Sequence, residues 1–232
     1  MPAPLSIVIP TLNAADALPA TAEALLEGAS SGLVRELVIS DGGSTDATER
    51  VAKELGAVWV TGSAGRGPQL RRGVEASRAP WVLLLHADTH LSPGWAEVAY
   101  RHMQDSPDRA AWFRLRFRAS GLAPRLVAGG ANLRSRVFGL PYGDQGLLIA
   151  RALLEDVGGV PDLPLMEDVA LARALKGRLV GLTAEAKTSA ERYEREGWLR
   201  RVTANLGTLA RFALGRDPAV LKARYDGQGR GK

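Results

Sequence analysis

Short apolar runs alternate with helix-like stretches over the first 90 residues. The four runs cover residues 5–10, 36–40, 57–60 and 81–85. The last of them has no polar alternation, which is typical of a strand covered on both faces. Strands that alternate with helices in this way form parallel sheets with right-handed crossovers. The pattern therefore predicts an α/β fold with a parallel central sheet flanked by helices.

Capping residues predict where the intervening helices begin. Asn13 can cap the first helix, but Pro19 belongs only in a first turn, so a start near Leu18 is the alternative. Asp46 and Glu49 resemble a capping box for the second helix. Pro68 suits the first position of the third, and Ser92 is expected to cap the helix that runs to residue 105.

Polar residues follow each predicted strand. The carboxyl ends of parallel strands meet at one edge of the sheet, where ligands of open α/β sheets bind. We therefore expect the post-strand residues to converge on one site. They are Thr11, Asn13, Asp41, Gly65, Arg66, His86 and Asp88.

His86 and Asp88 should share a face at the end of the fourth strand, because strand side chains alternate. A carboxylate beside an imidazole can bind a divalent cation whose other ligands are water and phosphate oxygens. The alternative is a plain strand end with Asp88 in a turn, and this stretch alone leaves the two equal.

The other post-strand segments indicate a nucleoside diphosphate ligand. Asp41 can accept hydrogen bonds from a base or ribose, and the turn at residues 65–67 offers backbone donors and the Arg66 cation to phosphate. The first strand lacks a following G-x-G-x-x-G turn, which disfavours a nicotinamide dinucleotide, and the sequence has no P-loop pattern.

The second half is less regular. Residues 112–118 alternate between apolar side chains and Arg114, Arg116 and Arg118, which predicts a one-sided strand. The arginines are either solvated or form a positive wall beside phosphates. Glu167 and Asp168 open a helix whose dipole they complement, which is the interpretation that the residues alone favour. A closing strand is expected at residues 179–183.

From residue 191 the chain is basic and amphipathic, with apolar residues at helical spacing. Packing of such a helix on the domain is the favoured interpretation, and a membrane-surface or dimer contact is the alternative. A short last helix over residues 218–225 is predicted, followed by a disordered Gly-rich tail.

Composition narrows the class of partner. The 232 residues include no cysteine, which excludes disulfides and thiolate metal sites. The net charge of +5 favours anionic partners. Neither a signal peptide nor a membrane-spanning run is evident, so a cytoplasmic location is expected, with peripheral attachment to the inner face of the membrane left open.

Six motifs in order carry a family resemblance: SIVIPTLN, VISDGGSTD, GRGPQLRRG, LLLHADT, GDQG and MEDVALARAL. Together they resemble a family 2 glycosyltransferase of the GT-A fold, and LHADT with PYGDQG resembles more narrowly the small bacterial arsenosugar-biosynthesis-type group. The resemblance implies a Rossmann-like, mostly parallel sheet in a single domain, residues 1–232. Within it, residues 1–105 would bind the nucleotide sugar, residues 106–190 the acceptor, and residues 191–232 would form C-terminal helices and a tail.

The resemblance also implies roles for individual residues on the donor side. Thr11 and Asp41 would hold the uracil and ribose, and Asp88, as the second acid of a D-x-D motif, would bind Mn²⁺ or Mg²⁺. The remaining donor-side residues are Pro10, Asn13, Gly65, Arg66, Gln69, His86 and Ala87.

On the acceptor side, Asp168 matches the acid that deprotonates the acceptor hydroxyl. Gly143, Asp144, Gln145 and Glu167 would line the site near the donor sugar or acceptor. The implied reaction is an inverting, metal-dependent transfer from a UDP-linked sugar to a small-molecule or lipid-linked acceptor, and no nucleic-acid partner is expected.

Two residues depart from the family pattern. His86 replaces the first acid of D-x-D, and Gly42 replaces the second acid of D-D-G-S-T-D. These departures leave the sugar and metal preferences open and keep a non-catalytic nucleotide-sugar-binding protein as an alternative. A sugar nucleotidyltransferase is the other, although residues 10–15 lack the Lys or Arg that a triphosphate would need.

Overall fold

The computed structural model describes residues 3–228. The first half contains β1 (Leu5–Thr11), α1 (Leu18–Ser30), β2 (Val34–Asp41), α2 (Thr48–Glu54), β3 (Val58–Thr61), α3 (Arg66–Ala76), β4 (Trp81–Leu84), β5 (His90–Leu91) and α4 (Trp95–Asp105). The second half contains β6 (Ala110–Phe117), α5 (Leu122–Phe138), a 3₁₀ turn (Gly143–Gln145), β7 (Leu147–Ala150), α6 (Arg151–Asp156), α7 (Glu167–Ala174), β8 (Leu179–Thr188), α8 (Glu191–Glu196), α9 (Trp198–Ala213) and α10 (Pro218–Gln228).

The described residues form one eight-stranded sheet in the order β3-β2-β1-β4-β7-β6-β8-β5. β3, β2, β1 and β4 are parallel, and β6 and β8 run in the same direction as these four. β7 and β5 are antiparallel to their neighbours. The predicted mostly parallel sheet is therefore confirmed, with β7 joining the two halves of the chain.

Strand register places the predicted site residues at one edge. Thr11 at the end of β1 pairs with Asp41 at the end of β2, and Asp41 pairs with Thr61 at the end of β3. On the other side of β1, Leu85 N donates to Val8 O at 3.0 Å, which aligns the start of the 86–88 loop with the same edge. The convergence expected from parallel strands is present.

Apolar clusters cover both faces of the sheet. On one face, Ile7, Leu83 and Phe113 pack with Trp95 and other residues of α1 and α4. On the other face, Val8 and Ile149 pack with Leu70 and residues of α6 and α7. This two-sided cover explains why the run at residues 81–85 has no polar alternation.

The C-terminal helices pack on the second half of the domain. Leu115 and Phe117 of β6 contact Ala128 of α5, Tyr193 of α8 and Trp198 of α9. A further cluster joins the start of α7 to α9 and α10. Between residues 3 and 228, no helix combines the length and the hydrophobicity needed to cross a lipid bilayer.

Several local predictions are wrong because the side chains bond to distant residues. Asn13 does not cap α1, and its Oδ1 accepts from Thr45 N at 2.9 Å; the alternative start near Leu18 is confirmed, with Pro19 in the first turn. Ser92 does not cap α4; its hydroxyl accepts from Glu185 N of β8 at 2.9 Å. Contacts between elements override a capping preference of about 1 kcal/mol.

The starts of α2 and α3 also differ from prediction. The expected capping box is incomplete, because Asp46 accepts from Thr48 N whereas Glu49 pairs with Lys53. Helix α3 begins at Arg66, so that Pro68 is its third residue rather than its first.

Two C-terminal boundaries are corrected. β8 extends to Thr188, beyond the strand predicted over residues 179–183, because its second half pairs with β5 and β6. α10 extends to Gln228, into the predicted tail, and the rest of that tail lies outside the described residues.

Candidate active site

The 86–88 loop after β4 is fixed from both sides of the sheet. Thr21 Oγ1 of α1 donates to Ala87 O at 2.6 Å, and Arg118 Nη1 donates to Asp88 O at 2.6 Å. Thr89 N closes the turn by donating to His86 O at 3.2 Å. With its backbone held at three points, the loop presents the Asp88 side chain in a defined position.

A pocket of about 230 Å³ opens above this loop. Its walls bring together residues from at least six separate segments of the chain. They include Arg66, His86, Asp88, Gly143, Asp144 and Asp168. Asp88 and Asp168, which are 80 positions apart in the sequence, thus face the same space.

Asp168 lies in the first turn of α7 and is oriented by backbone donors. Its Oδ2 accepts from Gly143 N at 2.8 Å and its Oδ1 from Val169 N at 2.7 Å. The preceding Met166 has a φ of 67°, a left-handed conformation that is rare outside glycine. The resulting turn directs Asp168 into the pocket, where a carboxylate can accept a proton.

Two other carboxyl groups of the site are buried. Burial raises the pKa of Asp144 to about 6, although Arg134 opposes the effect. Burial also raises the pKa of Glu167 to about 7, with Arg66 opposing and Asp168 adding to the rise. Arg66 Nε lies 3.2 Å from Glu167 Oε1 without hydrogen-bond geometry. Burial thus raises the pKa of one carboxyl group on the pocket wall, Asp144, and of one beside the pocket, Glu167.

His86 lies in the pocket, where its surroundings favour the neutral imidazole. Burial lowers its pKa, as does the charge of Arg66, and these effects outweigh the opposing charges of Asp88 and Asp168. Its Nε2 is buried and has no hydrogen-bond partner among the described residues. A Cβ at Gly143 would lie 2.5 Å from that Nε2, so glycine is required there for the ring to fit.

Thr11 and Asp41 form a buried hydrogen-bond network at the ends of β1 and β2. Asp41 accepts from Thr11 Oγ1 at 2.9 Å, from Ser44 Oγ at 2.5 Å, and from the Gly43 and Ser44 amides at 2.7 Å each. Partial burial raises the pKa of Asp41, but these hydrogen bonds together lower it below its ordinary value. The network shapes the loop after β2 and keeps Asp41 ionised.

Gln69 joins this network to α3. Its Nε2 donates to Thr11 O at 2.6 Å and to Ser40 O at 3.0 Å, and its Oε1 accepts from Gly65 N at 3.1 Å. A Cβ at Gly42 would lie 3.0 Å from the Gln69 amide. The close packing gives a physical reason why glycine stands where the family has an acid.

The turn before α3 supplies a cation to the pocket. Gly65 has a φ of 141°, and Gly67 N donates to Leu163 O at 3.2 Å. A Cβ at Gly67 would lie 2.3 Å from Leu163 O. Arg66, between these glycines, is thereby held at the pocket wall beside Glu167.

The donor set of the pocket fits a hard divalent cation that also binds a ligand's phosphates. Among residues 3–228 no group of three or more His, Cys, Asp or Glu residues could hold a metal. Mg²⁺ commonly uses only one or two protein carboxylates together with phosphate oxygens and water. Asp88 can supply one such ligand, and Asp144 Oδ1, also on the pocket wall, is buried without a hydrogen-bond partner.

The predicted residues thus fall into two groups. Arg66, His86, Asp88, Gly143, Asp144 and Asp168 line the pocket, and Glu167 lines a smaller adjoining one. Pro10, Thr11, Asn13, Asp41, Gly65 and Gln69 lie at the same sheet edge but outside the lining of this pocket. Gln145 is buried beneath the pocket, where its Oε1 accepts from Ser135 Oγ at 2.6 Å.

Sequence reasoning did not single out the outer wall of the pocket, which comprises Arg192, Tyr193, Arg201 and Asn205. Arg201 is buried and its Nη1 lies 3.3 Å from Glu196 Oε2. One signal was available: Arg201 follows Trp198 by three residues, so it lies on the apolar face of its helix.

The sequence of this chain is similar to those of known proteins. A family model described as Glycosyl transferase family 2 matches residues 6–135. Glycosyltransferase AglJ of Haloferax volcanii is 31% identical over 147 residues, which are 62% of this chain and 47% of the relative. A PGL/p-HBAD biosynthesis glycosyltransferase of Mycobacterium bovis is 37% identical over 99 residues, 39% of this chain and 38% of the relative. The matches thus span about half the length of these relatives or less.

Solved structures share the fold at low identity. Glucosyl-3-phosphoglycerate synthase from Mycobacterium tuberculosis, in complex with Mn²⁺, UDP and glucosyl-3-phosphoglycerate, has a TM-score of 0.58 and 20% identity, covering 88% of this chain and 78% of that one. S. aureus TarS 1-349 in complex with UDP has a TM-score of 0.59 and 16% identity, covering 81% of this chain and 61% of that one.

These likenesses confirm the predicted GT-A fold. The family model matches the sequence rather than the structure. It aligns with more than half of the chain, from β1 into α5. The chain therefore belongs to glycosyl transferase family 2.

Proposed function

We propose that the protein transfers a sugar from a UDP-linked donor to an acceptor hydroxyl with inversion at the anomeric carbon. The observation that carries the proposal is that Asp88 and Asp168 line one pocket at the carboxyl edge of the sheet. The structures of related fold in complex with UDP, and in one case Mn²⁺, support a nucleotide-sugar donor.

On the donor side, Asp88 would hold a Mn²⁺ or Mg²⁺ ion. When bound, such an ion neutralises negative charge on the diphosphate. Arg66 adds a fixed positive charge at the N-terminus of α3, where backbone amides also favour an anion. Thr11 and Asp41 keep the loops after β1 and β2 in place for the uracil and ribose.

On the acceptor side, Asp168 takes the proton of the acceptor hydroxyl. The acceptor oxygen forms a bond to the anomeric carbon as the bond from that carbon to the diphosphate oxygen breaks, and the electron pair leaves with UDP. The Gly143 and Val169 amides each donate to one oxygen of Asp168, and each oxygen keeps a second lone pair that can accept from the acceptor hydroxyl.

The test of the base compares Asp168→Asn with Asp162→Asn, which changes an exposed acid in the loop before α7. We expect the Asp168 variant to bind UDP as the wild type does but to lose transfer by about 1000-fold, the range of a general base. The Asp162 variant should retain transfer. Full transfer by the Asp168 variant would contradict the assignment. So would a loss of transfer in Asp144→Asn that is absent from Asp168→Asn.

The test of the metal uses UDP-induced thermal stabilisation. We expect UDP to raise the melting temperature of the wild type more with Mn²⁺ than with a chelator, and Asp88→Ala to abolish this difference. Asp46→Ala, at the same sheet edge but distant from the pocket lining, is the control. An unchanged metal effect in Asp88→Ala would rule out its role as a ligand.

The competing activities are separable by substrate. A nucleotidyltransferase would form a nucleotide sugar from UTP and a sugar phosphate, whereas residues 10–15 offer no cation to a triphosphate. A binding protein without catalysis would retain the UDP thermal shift and show no turnover of any nucleotide sugar.

The predicted contacts of the C-terminal helices are separate proposals. α9 exposes Leu199 and Leu206, and residues 197–216 contain arginines but no acid. Both features favour a peripheral contact with anionic lipid. Co-sedimentation with anionic vesicles at low salt tests this contact, and sedimentation equilibrium without lipid tests a dimer.

A further inference from the structure

A long apolar groove lies between α5 and α9. On α5 its walls include Leu126, Gly130 and Phe138, and on α9 they include Leu199 and Leu206. The groove encloses about 750 Å³ and, from Leu126 to Phe138, it follows α5 for about 18 Å. Leu126, Phe138 and Leu199 remain 73%, 70% and 78% exposed. Apolar side chains that face one another across an open groove indicate a site for an apolar ligand.

The inner end of the groove is continuous with the candidate active site. Tyr142, Asp144, Tyr193 and Asn205 line both the groove and the pocket that contains Asp168. A molecule lying in the groove could therefore place one end beside the proposed base while its remainder contacts α5 and α9.

The two helices that form the groove are basic, and Asp144 is an acid that lines the inner end of the groove. Residues 119–143 include three arginines and residues 197–216 include four, and neither segment contains Asp or Glu. This pattern complements an amphiphile that carries, or is surrounded by, anionic groups.

From these observations we infer that the acceptor is an amphiphile whose hydrocarbon chain lies in the α5–α9 groove and whose hydroxyl-bearing head reaches Asp168. The inference rests on the proposed transferase function and adds the chemical class of its acceptor. The hydrocarbon chain would displace water from apolar side chains along the groove and so contribute most of the affinity.

The test measures binding rather than turnover. The probes are n-alkyl β-glucosides with chains of six to nine carbons, titrated calorimetrically into the full chain below their micelle concentrations and with UDP present. Each methylene that enters the groove should raise the affinity about fourfold. Affinity that does not depend on chain length would overturn the inference.

Matched variants locate the binding. A Cβ at Gly129 or at Gly130 meets no atom within 4 Å, so a side chain can leave the backbone at either position without a clash at its first atom. Gly130 lines the groove and Gly129 does not. Gly130→Trp should abolish the chain-length dependence, whereas Gly129→Trp should preserve it.

A second pair guards against misfolding of the tryptophan variants. Leu126→Arg places a charge in the groove, and Leu133→Arg changes another exposed leucine of α5 that lies outside it. Leu126→Arg should lower the affinity for the nonyl glucoside by at least tenfold, and Leu133→Arg should leave that affinity unchanged. Equal effects within either pair would overturn the inference.

Other occupants of the groove give different results. If a second copy of the chain covers it, the wild type will be a dimer and Gly130→Trp a monomer, which would overturn the inference. UDP affinity, measured in the same samples, should be unchanged in all four variants. If the wild type does not bind UDP, the proposed function is refuted. The chain-length dependence of glucoside binding still tests the groove independently.

Discussion

Replacement of Glu167 by Gln should make the protein more stable, and increasingly so as the pH rises. Glu167 is 2% exposed, and its pKa is about 7 in the folded protein against an ordinary value of 4.5. A raised pKa means that the folded state holds a proton which the unfolded state releases. The contribution of protonated Glu167 to the free energy of unfolding is therefore fully present below pH 4.5 and is lost as the pH rises through 7.

The size of the effect follows from the two pKa values. At pH 8 the ionised Glu167 should lower the free energy of unfolding by about 3 kcal/mol, and at pH 5 by less than about 1 kcal/mol. Gln keeps the shape of the side chain without this penalty. The advantage of Glu167→Gln over the wild type should therefore grow by about 2 to 3 kcal/mol between pH 5 and pH 8.

Urea denaturation of both proteins at pH 5, 6, 7 and 8 measures this difference. Glu54→Gln removes an exposed partner of Arg50 and should change stability by less than about 1 kcal/mol at every pH. A Glu167→Gln advantage that stays constant across the four pH values, or a loss of stability at pH 8, would refute the reasoning. The second result would mean that pairing with Arg66 outweighs burial.

Three further substitutions test packing around the site, each by urea denaturation. Gln69→Leu should lower the free energy of unfolding by about 3 kcal/mol, because three hydrogen bonds to backbone groups are lost at a buried position; a change below 1 kcal/mol would contradict this. Gly67→Ala should destabilise by about 2 kcal/mol, since its Cβ would lie 2.3 Å from Leu163 O. Gly130→Ala should instead stabilise by about 0.5–1 kcal/mol, as an open site inside a helix; destabilisation there would show that α5 is not helical in solution.

The sheet edge could be predicted from sequence because the signal is local. Each apolar run ends in polar residues, and parallel pairing alone brings Thr11, Asp41, Arg66 and Asp88 to one side. Asp168 was different: its position in the first turn of a helix favoured a dipole role, and only the ordered set of motifs indicated a base. The pocket that it shares with Asp88 supports that proposal.

The rest depends on contacts that no local pattern encodes. Ser92 looks like a helix cap, yet its hydroxyl bonds to a strand 93 positions later. Gln145 looks like a site residue within a turn-rich loop, yet it lies buried against Ser135 and Asn132. The groove between α5 and α9 arises from the relative placement of two helices, which neither helix specifies alone.

The position of β7 limits how the chain can be divided. β7 comes late in the sequence but lies between β4 and β6, and β5 pairs with β8 at the far end of the sheet. A fragment ending at Asp105 would expose the unpaired edge of β4, and its complement would carry β7 without that neighbour. Open strand edges promote aggregation. Expressing the halves as independent pieces should therefore yield insoluble material, whereas co-expression could restore the shared sheet.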